Sequence, residues 1–311
     1  MAWTETSIPD QSGRTFLVTG ANSGLGLETA RALAQRGAHV LLAARNPEKG
    51  SAAVDRIIAT GPAGSVEFVE LDLADLDAVA ATAKSVLANR DSLDGLINNA
   101  GIMATPYGTT AQGFEQQFGT NHLGHFALTG HLLPLLLATD GSRVVNVSSN
   151  GHRGGKPDFT LPSEQDYSPW QAYFNSKLAN LLFTSELQRR LAASGSSTLA
   201  VAAHPGASST NLGHENPGGL INTAMSLFKP VFTVFAQSAA MGALPTLMAA
   251  TDPEVLGNEY YGPGGFQEFR GHPQAVGRSG AASDAASARE LWDLSEEFTG
   301  VTYESLGEPS D

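Results

Sequence analysis

The chain has 311 residues, 41% hydrophobic and 16% charged, which is ample for a packed core and argues against wholesale disorder. Acidic residues number 31 against 18 basic ones, a net charge of -13, whereas nucleic-acid binding needs a basic surface. There is no cysteine, so disulfides, thiolate metal sites, iron–sulfur clusters and thiol nucleophiles are excluded.

Taken in chain order, Thr15–Thr19 is a continuous apolar run that reads as a buried strand. Glycines follow it, then an Ala/Leu helix over Leu25–Gln35 closed by Gly37, and the next apolar run is Ala38–Ala44. The cycle repeats with a helix over Glu48–Thr60, strand Val66–Leu71, helix Leu76–Ala88 and strand Leu93–Ile97. Helical stretches over Ala111–Phe118 and Asn121–Ala138 precede strand Arg143–Ser148, and helix Ala172–Ala193 leads to strand Leu199–His204. Strands alternating with helices predict a single domain of doubly wound α/β (Rossmann) type, with a parallel sheet of about seven strands covered on both faces.

Two stretches break the rhythm: Asn150–Trp170, polar with Gly and Pro, and Gly213–Ala250, apolar and helical. Both follow strand ends, where ligands bind in open α/β sheets, so they read as a substrate-side loop and a lid. Within the second, Leu220–Phe235 carries an apolar stripe that suits a lid, a helix packed on the core, a subunit contact or a membrane attachment. The N-terminus lacks a basic-then-apolar leader and the apolar runs fall short of the roughly 20 residues of a membrane span, so a soluble, cytoplasmic protein is expected.

Strand Thr15–Thr19 runs into Gly20-Ala21-Asn22-Ser23-Gly24-Leu25-Gly26 at a helix start. Glycines there let the backbone approach a pyrophosphate, and the helix N-terminus offers N–H donors and a positive dipole end. The second strand ends Ala43-Ala44-Arg45, without the acid that would bind the 2′-hydroxyl of NAD. Arg45 is either a solvated arginine or a guanidinium for a 2′-phosphate, and the second reading favours NADP(H). Tyr173 and Lys177 lie four apart on one helix and share a face. An ammonium beside a phenol favours the phenolate, giving a general acid/base for carbonyl and alcohol chemistry, although such a pair in isolation is more often packing and solvation.

The ordered set Thr19-Gly-x-x-x-Gly-x-Gly26, Asn98-Asn99-Ala100-Gly101, Asn121-His122-Leu123-Gly124, Asn146-Val147-Ser148-Ser149, Tyr173-x-x-x-Lys177 and Pro205-Gly206 resembles the short-chain dehydrogenase/reductases. The phrases Phe118–Phe126, Tyr173–Asn180 and Leu291–Ser295 resemble the retinol dehydrogenase and WW-domain oxidoreductase branch, as a soluble, bacterial-type member. That resemblance implies Tyr173 as proton donor and acceptor, Lys177 as the group that lowers its pKa and holds the nicotinamide ribose, and Ser149 as the partner of the substrate oxygen. It implies Asn121 as holder of a water linking Lys177 to solvent. For the dinucleotide it implies Gly20, Asn22, Ser23, Gly24, Leu25 and Gly26 at the turn, with Arg45. Asp72 and Leu73 would lie at adenine, Asn99, Ala100 and Gly101 at the adenine ribose, and Pro205, Gly206 and Thr210 at the nicotinamide end.

The gap from Ser149 to Tyr173 is longer than the family's usual one; the additional residues fall in 150–170, and Ser148 is the alternative serine if the register shifts. His122, His125 and His131 share one helix, but no carboxylate is spaced to complete a metal site. His152 reads as a solvated loop histidine or a substrate contact. The expectation is therefore an NADP(H)-dependent oxidoreductase acting on a lipophilic aldehyde, ketone or alcohol, with a homodimer as the default assembly and no metal. The alternative is a catalytically silent NADP(H)-binding sensor or interaction protein, against which the intact Tyr173 and Lys177 count.

Overall fold

The computed structural model describes residues 2–207 and 237–306. Within them eight strands form one sheet: β1 Thr15–Thr19, β2 His39–Ala44, β3 Ser65–Glu70, β4 Gly95–Asn98, β5 Arg143–Val147, β6 Leu199–Ala203, β7 Tyr260–Pro263 and β8 Pro273–Ala275. Their order is β3-β2-β1-β4-β5-β6-β7-β8, and every pairing is parallel except β7 with β8. The sheet is thus seven parallel strands, as expected, with one short antiparallel strand added at an edge.

The helices are α1 Gly24–Gln35, α2 Pro47–Ile58, α3 Leu76–Asn89, the single turn α4 Gln116–Phe118, α5 Gly124–Ala138, α6 Pro169–Ala193, α7 Ala239–Thr251 and α8 Ala285–Thr299. Side chains alternate across each strand, and both faces are buried because both carry helices. Phe16, Val18, Val40 and Leu42 join Ala30 and Leu33 of α1, Ile57 of α2 and Leu244 and Leu247 of α7. Leu17, Leu41 and Leu96 join Val79 of α3, Phe126 and Leu132 of α5, Phe183 of α6 and Trp292 of α8 on the other face. A polar ladder crosses that second layer. Asn98 Nδ2 donates to Asn146 Oδ1 at 2.9 Å, and Asn146 Nδ2 to Thr184 Oγ1 at 3.0 Å, tying β4 to β5 and to α6.

The expected helix over Ala111–Phe118 is not one. A bridge from Thr109 to Glu115 closes a turn through Gly113, whose φ of +88 glycine accepts without strain. Helix begins only after Glu115, whose carboxylate caps the N–H groups of Gln117 and Phe118. A π-helical turn, Gly119–Leu123, then leads into α5. Of the expected lid, 213–236 lies outside the described residues; its end, α7, packs on α1 in the core. Among the described residues no helix is long and apolar enough to cross a membrane.

Candidate active site

The C-terminal ends of β1, β4, β5 and β6 open onto one crevice. At β1 the chain turns left-handed at Gly20 (φ 64) and Gly24 (φ 54) before entering α1. A Cβ on Gly26 would sit 2.5 Å from the Gly20 carbonyl oxygen and 2.6 Å from Asn99 Nδ2, so only glycine allows this closure. Ser23, at the N-cap of α1, makes no side-chain cap bond, which leaves the first-turn N–H groups near Leu25 for an outside acceptor. A bare turn with this tight backbone fits the pyrophosphate of a dinucleotide. Asn22 is half-buried on the same turn.

Thr19 fastens this turn to the end of β4. Its hydroxyl accepts from the N–H groups of Asn99 and Ala100, each at 2.9 Å, and its carbonyl accepts from Asn99 Nδ2 at 2.7 Å. Arg45 is exposed at the end of β2, followed by Asn46, whose side chain caps α2. Asp72 accepts from the Ala74 N–H at 2.9 Å; Leu73 turns its side chain into the core, which leaves its backbone for any contact with a ligand.

Asn121 lies in the π-helical turn. Its Oδ1 accepts from the Ile102 N–H at 2.8 Å, and its Nδ2 donates to the Ile102 carbonyl and to Ser176 Oγ, each at 2.9 Å. A Cβ on Gly101 would meet Asn121 Oδ1 and Lys177 Nζ, both at 3.2 Å, so those two groups converge on this glycine. Lys177 is buried, donates to the Val147 carbonyl at 3.1 Å, and is pulled down to about 8 by loss of solvent. Its Nζ lies 5.9 Å from the centre of the Tyr173 ring.

Burial pushes the Tyr173 phenol above its ordinary value, and a hydrogen bond with Ser149 partly offsets this. The expected lowering by Lys177 is not what this geometry gives, because at this separation burial wins. Ser149 caps a 3-10 turn, Asn150–Gly154, and accepts from the Gly151 N–H at 3.0 Å. Ser148 instead donates to the Lys177 carbonyl at 2.8 Å, so the register places Ser149 at the phenol.

His122, His125 and His152 are not solvated. His152 is fully buried; its Nδ1 donates to the Ser149 carbonyl at 2.7 Å and its Nε2 accepts from the Ser279 N–H at 3.1 Å. His122 Nε2 lies 2.8 Å from Ser295 Oγ, and His125 lies between Thr19 and Asn121. After β6, Gly206 (φ 63) donates to His204 Nδ1 at 3.2 Å, and Gln237 Nε2 donates to the Pro205 carbonyl at 2.9 Å. Thr210 lies outside the described residues.

A strap over Gly264–Gly271 was not foreseen. Its Phe269 carbonyl accepts from the Ala207 N–H at 2.8 Å, and a Cβ on Gly206 would stand 2.5 Å from that same oxygen. Its Gln267 carbonyl accepts from Asn150 Nδ2 at 3.3 Å, and Glu268 pairs with Arg153 at 3.3 Å. Gln267 and Glu268 both adopt left-handed backbone (φ 48 and 59), and Glu268 Oε2 comes within 3.1 Å of buried His204 Nε2 in poorly aligned geometry. Trp170 and Phe174 flank Tyr173, with ring centres 6.4 and 6.1 Å from its own.

Residues 14–218 match the model of the short chain dehydrogenase family. Retinol dehydrogenase 11 of Mus musculus is 41% identical over 301 residues, covering 95% of this chain and 89% of that protein. Retinol dehydrogenase 14 of the same species is 40% identical over 302 residues, with 93% and 86% covered. The crystal structure of an uncharacterised protein from Mycobacterium paratuberculosis superposes with a TM-score of 0.79 at 46% identity, covering 97% of this chain and 99% of that one. A protein from Beutenbergia cavernae assigned as an NAD(P)-dependent gluconate 5-dehydrogenase, with NADP bound, gives a TM-score of 0.61 at 27% identity over 78% of this chain and 92% of its own. With the motifs in one crevice and these matches spanning most of its length, the chain belongs to the short-chain dehydrogenase/reductase family, similar to its retinol dehydrogenases, and is an oxidoreductase that works with a nicotinamide cofactor.

Proposed function

We propose that the chain is an NADP(H)-dependent carbonyl reductase, reversible as an alcohol dehydrogenase, acting on a lipophilic aldehyde or ketone with Tyr173 as general acid/base. The observation that carries the proposal is the Ser149 hydroxyl on the Tyr173 phenol, with Lys177 and Asn121 converging beside them at Gly101. A nicotinamide dinucleotide, when bound, supplies the hydride to the carbonyl carbon or takes it back. Everything else is work for side chains.

Ser149 hydrogen-bonds the substrate oxygen and steadies the charge that develops there. Tyr173 delivers the proton to that oxygen. Its pKa is raised by burial, so it is protonated at neutral pH, which suits reduction. Lys177, cationic below about pH 8, stabilises the phenolate left behind and holds the nicotinamide ribose. Asn121 fixes the Gly101–Ile102 backbone against Lys177, and we assign to it the water through which Tyr173 regains its proton.

Ala44 stands where an acid would select NAD, and Arg45 beside it supports NADP(H) through a 2′-phosphate contact. Gly20, Asn22, Ser23, Gly24, Leu25 and Gly26 would hold the pyrophosphate, Asp72 and the Leu73 backbone the adenine, and Asn99, Ala100 and Gly101 the adenine ribose. Pro205, Gly206 and Thr210 would hold the nicotinamide end. The aromatic flank of Trp170 and Phe174 supports a lipophilic substrate, as do the names of the retinol dehydrogenase relatives.

The test follows loss of NADPH absorbance over a panel of aldehydes, ketones and quinones, with NADH and Tyr173→Phe in parallel. Turnover that prefers NADPH and falls by about 100-fold or more in Tyr173→Phe, with dinucleotide affinity retained, is the expected result. A variant that keeps wild-type turnover refutes the role of the phenol.

A further inference from the structure

His125 lies on the first turn of α5, nearly fully buried, and nothing in the proposed chemistry uses it. Its ring spans two places that the reaction needs. Nε2 is 2.9 Å from the Thr19 hydroxyl and Nδ1 is 3.0 Å from the Asn121 backbone carbonyl.

The direction of each bond follows from counting. A hydroxyl has one proton and two lone pairs, and Thr19 Oγ1 already accepts from the N–H groups of Asn99 and Ala100. Its own proton must therefore go outward. Two acceptors are in reach, the Ile97 carbonyl at 3.4 Å and His125 Nε2 at 2.9 Å, and the shorter contact is to the ring. Nε2 is then an acceptor and carries no hydrogen. Nδ1 carries it and donates to the Asn121 carbonyl, which has no proton of its own to offer. The opposite tautomer would aim two lone pairs at each other across 3.0 Å. An imidazolium is disfavoured too: burial, with Lys177 nearby, holds the ring down to about 4.

We infer that His125 is a positioning residue for the reaction: as a neutral Nδ1–H imidazole it joins the Thr19 end of the dinucleotide turn to Asn121. This rests on the roles proposed above for Asn121 and Lys177. The bonds run head to tail, from Asn99 and Ala100 N–H to Thr19 O–H, to His125 Nδ1–H, to the Asn121 carbonyl, so each polarises the next. The ribose side and the proton-return side are thereby one unit. Thr129 secures α5 from behind, donating to the His125 carbonyl at 2.7 Å and accepting from Asn98 Nδ2 at 3.1 Å.

Two amide variants separate the halves of the bridge. Asparagine places an N–H near the Nδ1 position and keeps the bond to Asn121; glutamine reaches the Nε2 position and keeps the bond to Thr19. His125→Phe keeps a ring and loses both. Long-range proton–nitrogen NMR of the wild-type chain reads the tautomer directly. It should show hydrogen on Nδ1 and no titration of this ring across about pH 6 to 9. In steady-state assays His125→Phe should lose roughly tenfold or more in kcat, with raised cofactor KM, as expected for a stranded buried polar partner. His125→Asn should restore kcat but not cofactor KM, and His125→Gln the reverse. Melting curves show which variants remain folded. An Nε2–H tautomer, a ring that titrates near neutrality, or a folded His125→Phe with wild-type kcat and KM overturns the inference. If no carbonyl is turned over, the proposed function fails, while the tautomer and the dinucleotide affinity read by fluorescence still decide the bridge.

Discussion

Replacing Lys177 with methionine should make the protein more stable while it ends turnover. In the fold Lys177 is buried, and its pKa drops from the ordinary 10.5 to about 8, with desolvation as the cause. At about 1.4 kcal/mol per unit, the charged form costs the folded state about 3 kcal/mol at neutral pH. Two contacts offset part of this: the ammonium donates to the Val147 carbonyl at 3.1 Å and faces the Tyr173 ring at 5.9 Å. Methionine matches the aliphatic stem, and the Val147 carbonyl keeps a donor, Asn180 Nδ2 at 3.2 Å.

The net gain is about 2 kcal/mol, or about 3 °C in Tm for a chain of this size. The sign of its pH dependence is set by a lowered pKa. Below about 8 lysine is charged in both states and the penalty is fully present. Between about 8 and 10.5 only the unfolded chain binds the proton, so wild type gains stability as pH rises and its deficit against Lys177→Met closes. Paired urea or thermal unfolding across that window is the assay. A methionine variant less stable than wild type at neutral pH, or a gap that does not change up to about pH 10.5, would refute the reasoning.

Arg45→Ala should weaken NADPH binding about 10- to 100-fold, the worth of charge-assisted hydrogen bonds, and leave NADH unchanged; equal losses for both dinucleotides in a titration would remove Arg45 from the 2′-phosphate. Gly26→Ala would drive its Cβ against the Gly20 carbonyl at 2.5 Å. It should cost about 1–3 kcal/mol of stability and lower dinucleotide affinity; a folded variant that binds as wild type does would show that the turn can open without loss.

Five of the six legible strands are doubly covered apolar runs, as β1 shows with Phe16, Leu17 and Val18 all fully buried, while the edge strand β3 was readable from Val66, Phe68 and Val69 despite Glu67 and Glu70. The last two were not, since Tyr260–Pro263 and Pro273–Ala275 are short, hold proline and glycine, and lie at or next to an edge. The false helix over Ala111–Phe118 has helical spacing, but Gly113 and the capping carboxylate of Glu115 make a turn of it, and local side-chain chemistry overrode the periodicity. In the candidate site, Tyr173 and Lys177 were readable because four residues on a helix define a face. His125 and His152 were not, because Thr19 and Ser279, which give them their purpose, lie 106 and 127 residues away. A side chain whose partners are that distant has no local signature. The upward shift of the Tyr173 phenol was not readable either, since burial depends on what packs above it.

The strap over Gly264–Gly271 bears on how such a protein diversifies. It leans on Gly206 so closely that no side chain fits there, and in the same few residues it grips Asn150 and Arg153 on the serine side. A lineage that remodels the strap also disturbs the Pro205–Gly206 turn. The stretch from Asp158 to Tyr167 hangs from different points: the Tyr167 hydroxyl donates to the Thr105 carbonyl at 2.9 Å, and Gln117 Nε2 donates to that hydroxyl at 2.7 Å. Variation there leaves Gly206 alone. Change in the strap is therefore coupled to Gly206, whereas change over 158–167 is not, and the two segments are free to vary at different rates.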